Sequence, residues 1–368
     1  MKYVLQRFME RIDGLKRYVN GIILHRRLLS DWANPEDSPP PKLTQYVQYF
    51  RDFNSVKARI DYAASIVSLS SLWESYIEEL IADYLEILNT SIPDFSKLPV
   101  KIKETHTSKS ADLLLKLNHH KNAELSQEAI VANMHSCVQP SQSTSYTLNR
   151  SAYTHHSANL RVRMVNELFS FLGIPNIFGR VKQSKSFIEY MESVLPEVNL
   201  IQSKDSTVFK TIEDLADLRN EAAHGLPENL LDPSEVLRCC ETVEQIGKSI
   251  QEALTLELLF AICSAYPTDC TTVMAYPRKD VVCLTLNSGL AKTGDLLIAI
   301  SGNKVVDYGI ILELQVDRKS MPVLEAPPQI SFGAKVDFKV SKSYSYRLIP
   351  REVLSVDRLR CPSPNTSK

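Results

Sequence analysis

A mainly α-helical bundle followed by a small antiparallel β sheet or barrel, together an α+β fold, is the arrangement that the sequence predicts. Three observations carry it. Over most of the first 265 residues apolar side chains recur at spacings of three and four, as helices with one buried face require. After Tyr266 the apolar residues alternate or are β-branched, as strands require. The Pro and Gly breaks between the later helical segments are short, so those helices pack as antiparallel neighbours in a bundle.

Taken in order, residues 1–30 read as a basic amphipathic helix, and Asn34-Pro-Glu-Asp-Ser-Pro-Pro-Pro41 reads as a linker or loop. From Asn54 to Asn89 a long helix is expected, with Ile60, Ala64, Val67, Leu72, Tyr76, Leu80, Tyr84 and Leu88 as one buried stripe. Shorter helices follow at about Ser110–Leu117, Ser126–Met134, Leu160–Leu172, Ser184–Val194 and Thr211–His224, and a long one runs from Pro233 to about Ala265. Strands are expected at Val281–Leu286, Leu296–Ile300, Val305–Leu314 and Lys335–Leu348, with a turn at Ser301-Gly-Asn303. The domain limits are therefore 1–53 for the N-terminal helix and linker, 54–265 for the bundle and 271–360 for the β region. Because the change of pattern is abrupt, deleting residues 271–368 is expected to leave a soluble bundle.

Composition bounds the function. In a chain of 368 residues, 44% hydrophobic and 23% charged, 42 Lys and Arg face 43 Asp and Glu, so bulk charge does not announce a polyanion partner. Any nucleic-acid contact must be local. The seven Cys are scattered without a CxxC pair, as reduced thiols in a cytoplasmic protein are, and not as a disulfide frame or a zinc site. The N-terminus lacks the apolar core of a signal peptide, and the apolar run from Ala253 to Tyr266 is too short to span a membrane.

Chemistry concentrates in Asp217-Leu-Arg-Asn-Glu-Ala-Ala-His-Gly225. Cutting RNA through its own 2'-hydroxyl needs a base, an acid and a cation for the charge that develops on phosphorus. His224 suits proton transfer, and Arg219 suits the phosphate because its planar fork stays charged. On a helix Asn220 and His224 share a face, and Gly225 and Pro227 place His224 in the final turn, where the dipole favours a cation. A general acid fits that position better than a base. Spacing alone is weak, since Arg150-Ser-Ala-Tyr-Thr-His155 repeats it; that stretch lacks helical periodicity and an Asn after its Arg, and reads as a decoy.

The segment Leu218-Arg-Asn-Glu-Ala-Ala-His-Gly225 resembles the signature of the HEPN superfamily, an Arg followed by a polar residue and then a His. Leu72-Trp-Glu-Ser-Tyr-Ile-Glu-Glu-Leu80 is similar to the opening helix of the RiboL-PSP-type branch, and Phe171-Leu-Gly-Ile-Pro175 to a helix end in it. The likeness covers roughly residues 55–265 and does not extend to the β region. It implies a helical HEPN bundle, an endoribonuclease in a toxin or antiviral setting with Arg219, Asn220 and His224 as catalytic residues, and a homodimer. No cofactor is implied. RNA is the expected substrate, and a protein inhibitor or antitoxin is a further expected partner. Two other readings use the same fold: a catalytically silent scaffold that binds nucleotide or protein, and a sensor whose β region recognises a foreign trigger.

Four further features bear on function. Glu74 is a candidate second catalytic group on the opening helix, beside a plainer reading as a solvated carboxylate. The acidic residues Glu74, Glu78, Glu79, Asp83 and Glu86 fit a hydrated helix face better than a metal site. The pairs His119-His120 and His155-His156 fit polar loops better than ligand sets. In the β region Lys342, Tyr344, Tyr346 and Arg347 are candidate RNA contacts, the two tyrosines sharing one strand face for stacking, against a plainer reading as a barrel wall. Residues 331–368 hold eight Lys and Arg against three Asp and Glu, which permits a local basic surface.

Overall fold

The computed structural model describes residues 1–31, 41–117, 125–138, 146–156, 158–197, 199–200, 202–225, 227, 229–266, 270–275 and 280–359. His119-His120 and most of the Pro-rich stretch lie outside them. The fold is α+β. Three long helices form its frame: α1 (Lys2–Asp31), α2 (Pro41–Ser91) and, much later in the chain, the closing helix (Pro233–Ala265). Between them come α3 (Val100–Leu115), α4 (Gln127–Val138), α5 (Ser151–Thr154), α6 (Val162–Ser170), α7 (Ile177–Val181), α8 (Lys185–Val194), α9 (Asp205–Val208) and α10 (Lys210–His224), which makes the closing helix α11.

Local chemistry explains the frame. Asp232 and Glu235 form a reciprocal capping box around Pro233 at the first turn of α11, satisfying backbone donors that a helix start leaves open. At Gly247 the absence of a side chain lets α1 and α2 close on α11: a Cβ there would stand 2.6 Å from the Phe8 ring. Phe8 stacks on Tyr76 at 4.1 Å between centroids, and the Tyr76 hydroxyl donates to the Gly247 carbonyl at 2.7 Å.

The expected stripe of α2 holds in its C-terminal half, where Tyr76, Leu80, Tyr84 and Leu88 are buried and Leu72 packs against them, but not in its N-terminal half: there Tyr62, Ile66, Leu69 and Trp73 enter the core, whereas Ile60, Ala64 and Val67 face outward. A helix that is apolar on more than one side leaves the spacing rule with two equally good stripes, and tertiary packing decides between them. The boundary placed at residue 54 also falls inside α2, which begins at Pro41.

The β region is a curled antiparallel sheet. Its strands are β1 (Cys270–Ala275), β2 (Val281–Leu286), β3 (Gly289–Lys292), β4 (Leu296–Ser301), β5 (Lys304–Val316), β6 (Lys319–Met321), β7 (Val323–Ala326), β8 (Ile330–Val336) and β9 (Ser345–Ile349). The order is β1-β2-β8-β5-β4-β9, with β6 on β5 and a separate β3-β7 pair. Gly302, at φ 59°, makes the tight β4–β5 turn that Ser301-Gly-Asn303 predicts. The single strand expected at Lys335–Leu348 is two: β8 ends at Val336 and β9 begins at Ser345.

This sheet has two apolar faces. Leu297, Ala299, Tyr346 and Leu348 line its own interior, while Leu296, Ile298, Val305 and Ile349 join the core of the helical bundle. The chain then returns to the bundle: the Ser91 hydroxyl donates to Val353 O at 3.1 Å, and Gln251 Nε2 donates to Leu359 O at 2.9 Å. Leu354 and Leu359 are buried there. A shared core of this kind argues against the expectation of a separable bundle, because removing residues 271–368 uncovers α11 and the end of α2.

Candidate functional site

α10 carries Arg219, Asn220 and His224 in its last two turns, and ends at His224 with Gly225 as its cap residue. Arg219 and Asn220 are half-buried and His224 is exposed. Among the described residues neither Arg219 nor His224 has a hydrogen-bond or ion-pair partner, so both remain open to a ligand. Asn220 is held: Asn159 Nδ2 donates to its Oδ1 at 2.7 Å and to Ala216 O at 3.2 Å.

The strap that holds Asn220, residues 158–162 with His156 before them, is itself fixed on both sides. Towards α10, Arg161 grips Asp217 through two nitrogens, at 2.5 and 3.3 Å, and also reaches Glu213 at 3.4 Å. Arg161 thereby holds the Asp217 carboxyl below its usual range. Towards α2, Trp73 Nε1 donates to Leu160 O at 3.0 Å. His156 completes the anchor, with Nε2 2.9 Å from Glu78 Oε1 and Nδ1 2.8 Å from Ala158 O. Both partners are acceptors, so the doubly protonated ring satisfies both nitrogens. Its side chain is only 5% exposed. Burial works against that cation, but Glu78, the Ala158 carbonyl and the nearby Glu74 outweigh it, and the His156 pKa lies above its ordinary value.

Glu74 is thus placed near His156 and is half-buried. The rest of the acidic row is neither a hydrated face nor a ligand set. Glu79 pairs with Arg7 at 2.8 Å and Arg11 at 3.4 Å, Glu86 with Arg150 at 3.2 Å, and Asp83 with the Met1 amino group. Among the described residues no group of three or more His, Cys, Asp or Glu side chains could hold a metal ion. The structure gives Arg150 this structural task, and α5 forms in the stretch that showed no helical periodicity.

The four β-region candidates do not form one surface. Tyr346 is 1% exposed, its hydroxyl donating to Ser341 O at 3.0 Å and accepting from Ser341 N at 2.8 Å, so it has no face to offer a base. The face that the two tyrosines were expected to present is the sheet interior, against which Tyr344 also packs. Arg347 pairs across the sheet with Ile298, on the opposite side, and lies near Cys263 of α11. Lys342 is exposed in the preceding turn. Nor is this strand beside α10. Asp214 of α10 acts on Cys239, and the 24 residues from there to Cys263 span about 36 Å of helix.

Sequence reasoning missed Asn159, Arg161 and the His156–Glu78 pair. Glu78 and His156 lie 78 residues apart, and no local pattern links them. The one available sign was the second His of the His155-His156 pair.

Among the described residues no helix is long and apolar enough to cross a membrane. No curated protein and no solved structure matches the chain. A family model described as RiboL-PSP-HEPN matches residues 41–256, from the start of α2 into α11, with the β region beyond it. The match points to a nuclease-like or RNA-related role. It covers more than half of the sequence and contains the whole of α10 and its strap, and the chain therefore belongs to the RiboL-PSP-HEPN family.

Proposed function

We propose that this protein is a metal-independent endoribonuclease that cleaves RNA by attack of the 2'-hydroxyl, acting as a toxin or antiviral effector. One observation carries the reading: Arg219 and His224 stand open at the end of α10, while the residue between them in role, Asn220, is locked by Asn159. In this scheme Arg219 takes the charge on phosphorus, His224 protonates the leaving 5'-oxygen, His224 of the partner subunit takes the proton from the attacking 2'-hydroxyl, and Asn220 orients the phosphate. A single His serves poorly on both sides of one phosphate, so two copies of the chain are proposed to share the cleft, each supplying an Arg219 and a His224.

Incubating the purified protein with RNA in EDTA tests the reading. Cleavage that persists and leaves 2',3'-cyclic phosphate ends supports it, whereas activity that vanishes and returns with magnesium refutes it. A gating role for the β region is a second reading, favoured by the core that β4 and β5 share with the helical bundle. Among the described residues Arg219 and His224 have no structural partner, which favours an enzyme over a silent scaffold.

A further inference from the structure

Open rings of the kind expected on β9 stand instead on the α1–α2 hairpin. α11 begins at Pro233, beside Val19, Ile22 and Arg26 of α1 and Ala58 and Tyr62 of α2. α10 ends at about the same level, where Glu221 acts on Tyr62. α2 starts well before Ala58, at Pro41, so the last turns of α1 and about 25 Å of α2 project past both helices as an overhang.

Five rings form one cluster on this overhang. Between centroids, Phe50 lies 4.5 Å from Tyr46, 4.9 Å from His25 and 5.3 Å from Tyr49, and Tyr49 lies 5.9 Å from Phe53. His25, Phe50 and Phe53 are half-buried, whereas Tyr46 and Tyr49 are 42% and 61% exposed. Single exposed aromatics are ordinary on a protein surface; a cluster with two open tyrosines is not.

Charge selects the ligand. Residues 17–31 and 41–60, the overhang and its base, hold seven Lys and Arg against two Asp, and the excess is still three when Glu36 and Asp37 between them are counted, in a chain whose totals balance. Arg27 and Arg59 are exposed and have no hydrogen-bond or ion-pair partner among the described residues. Rings set among free cations match unpaired bases on a phosphate backbone, because every base has a face to stack and every linkage a charge. An apolar protein face would use the rings but not the cations.

We propose that the overhang is a stacking platform for single-stranded RNA, with Tyr46 and Tyr49 each taking a base and the surrounding cations drawing the backbone. The platform deepens the ribonuclease reading by giving the substrate a second foothold away from α10, and rests on that reading for its catalytic consequence. On α2 the open rings face away from Tyr62, which meets α10, so a strand that reaches both the rings and His224 passes round the side of the hairpin.

Fluorescence anisotropy on the full chain tests the proposal, with a labelled strand of about 20 nucleotides whose 2'-oxygens are methylated, so that it is bound without being cut. Tyr46→Ala with Tyr49→Ala is expected to weaken binding about 30-fold, and Tyr46→Phe with Tyr49→Phe to leave it within about threefold of wild type, since stacking uses the ring and not the hydroxyl. The same strand annealed to its complement, with its bases already stacked, should bind at least about tenfold more weakly. An alanine variant or a duplex that binds as tightly as the wild type binds the single strand overturns the platform, whether or not the protein cuts unmodified RNA. So does a wild type with no affinity for the strand, or an equal loss in the alanine and phenylalanine variants. Binding that behaves as expected in a protein that never cuts unmodified RNA supports the platform and refutes the ribonuclease. Should the alanine variant fail to fold, irradiation of the wild type with the same strand carrying 5-iodouridine decides: adducts on Tyr46 or Tyr49 support the platform, and adducts elsewhere or none overturn it.

Discussion

Replacing His224 with Ala separates chemistry from stability more cleanly than any other change in this chain. The side chain is exposed and makes no hydrogen bond or ion pair among the described residues, so its loss should cost no more than about 0.5 kcal/mol of stability. For a protein of this size that is a shift of under about 1 °C in Tm. A general acid, by contrast, contributes about 100- to 10,000-fold in rate, or roughly 3–5 kcal/mol of barrier. The two effects differ by close to tenfold in free energy. A fluorogenic RNA assay in EDTA, run beside thermal unfolding on the same preparations, reads both. His155→Ala serves as the control and should keep most of the activity. Cleavage within about threefold of wild type for His224→Ala refutes the assignment, because no proton-transfer role survives so small a loss. A Tm falling by several degrees refutes the structural half of the reasoning instead.

Three other outcomes are expected. Because the folded pKa of His156 is raised, the stabilisation from its bond to Glu78 is fully present below the ordinary value of 6.5 and is lost as pH rises through the higher folded value; urea unfolding across that window should show this decline, and Glu78→Gln should flatten it. Leu359→Ala should cost about 2–5 kcal/mol in chemical denaturation, and truncation after residue 266 should give an insoluble or molten product by circular dichroism and light scattering, since both uncover the shared core. Tyr346→Phe should cost about 1 kcal/mol of stability through its lost bonds to Ser341 and leave RNA affinity in filter binding unchanged, whereas Lys342→Ala should weaken binding without affecting stability.

The parts of the fold that were legible in the sequence are those where one local rule acts alone. The helix from Pro233 to about Ala265 and the strand from Val281 to Leu286 were read closely, because a long periodic run and a β-branched run have no competing reading. α2 was read as a helix but with Ile60, Ala64 and Val67 on the wrong side, since periodicity counts apolar faces and does not say which of them meets its own chain. The break between β8 and β9 was missed because Asp337 to Tyr344 keeps enough alternation to pass for a strand. Of the site, the motif on α10 was legible because its three residues are close in sequence. Its supports were not, because Asn159 and Asn220 are 61 residues apart and meet only once the strap is laid over α2.

The return of residues 350–359 onto the bundle also bears on how the protein is made. A nascent chain that has emerged only as far as α11 holds every residue of the α10 motif, yet lacks the segment whose Val353 and Leu359 carbonyls receive Ser91 and Gln251. The long-range contacts that close the fold form only after residues 350–359 have emerged, well behind the α10 motif. Ribosome-bound fragments that stop short of Leu359 are therefore expected to remain unfinished, so that the α10 motif reaches its folded setting only after that segment has emerged.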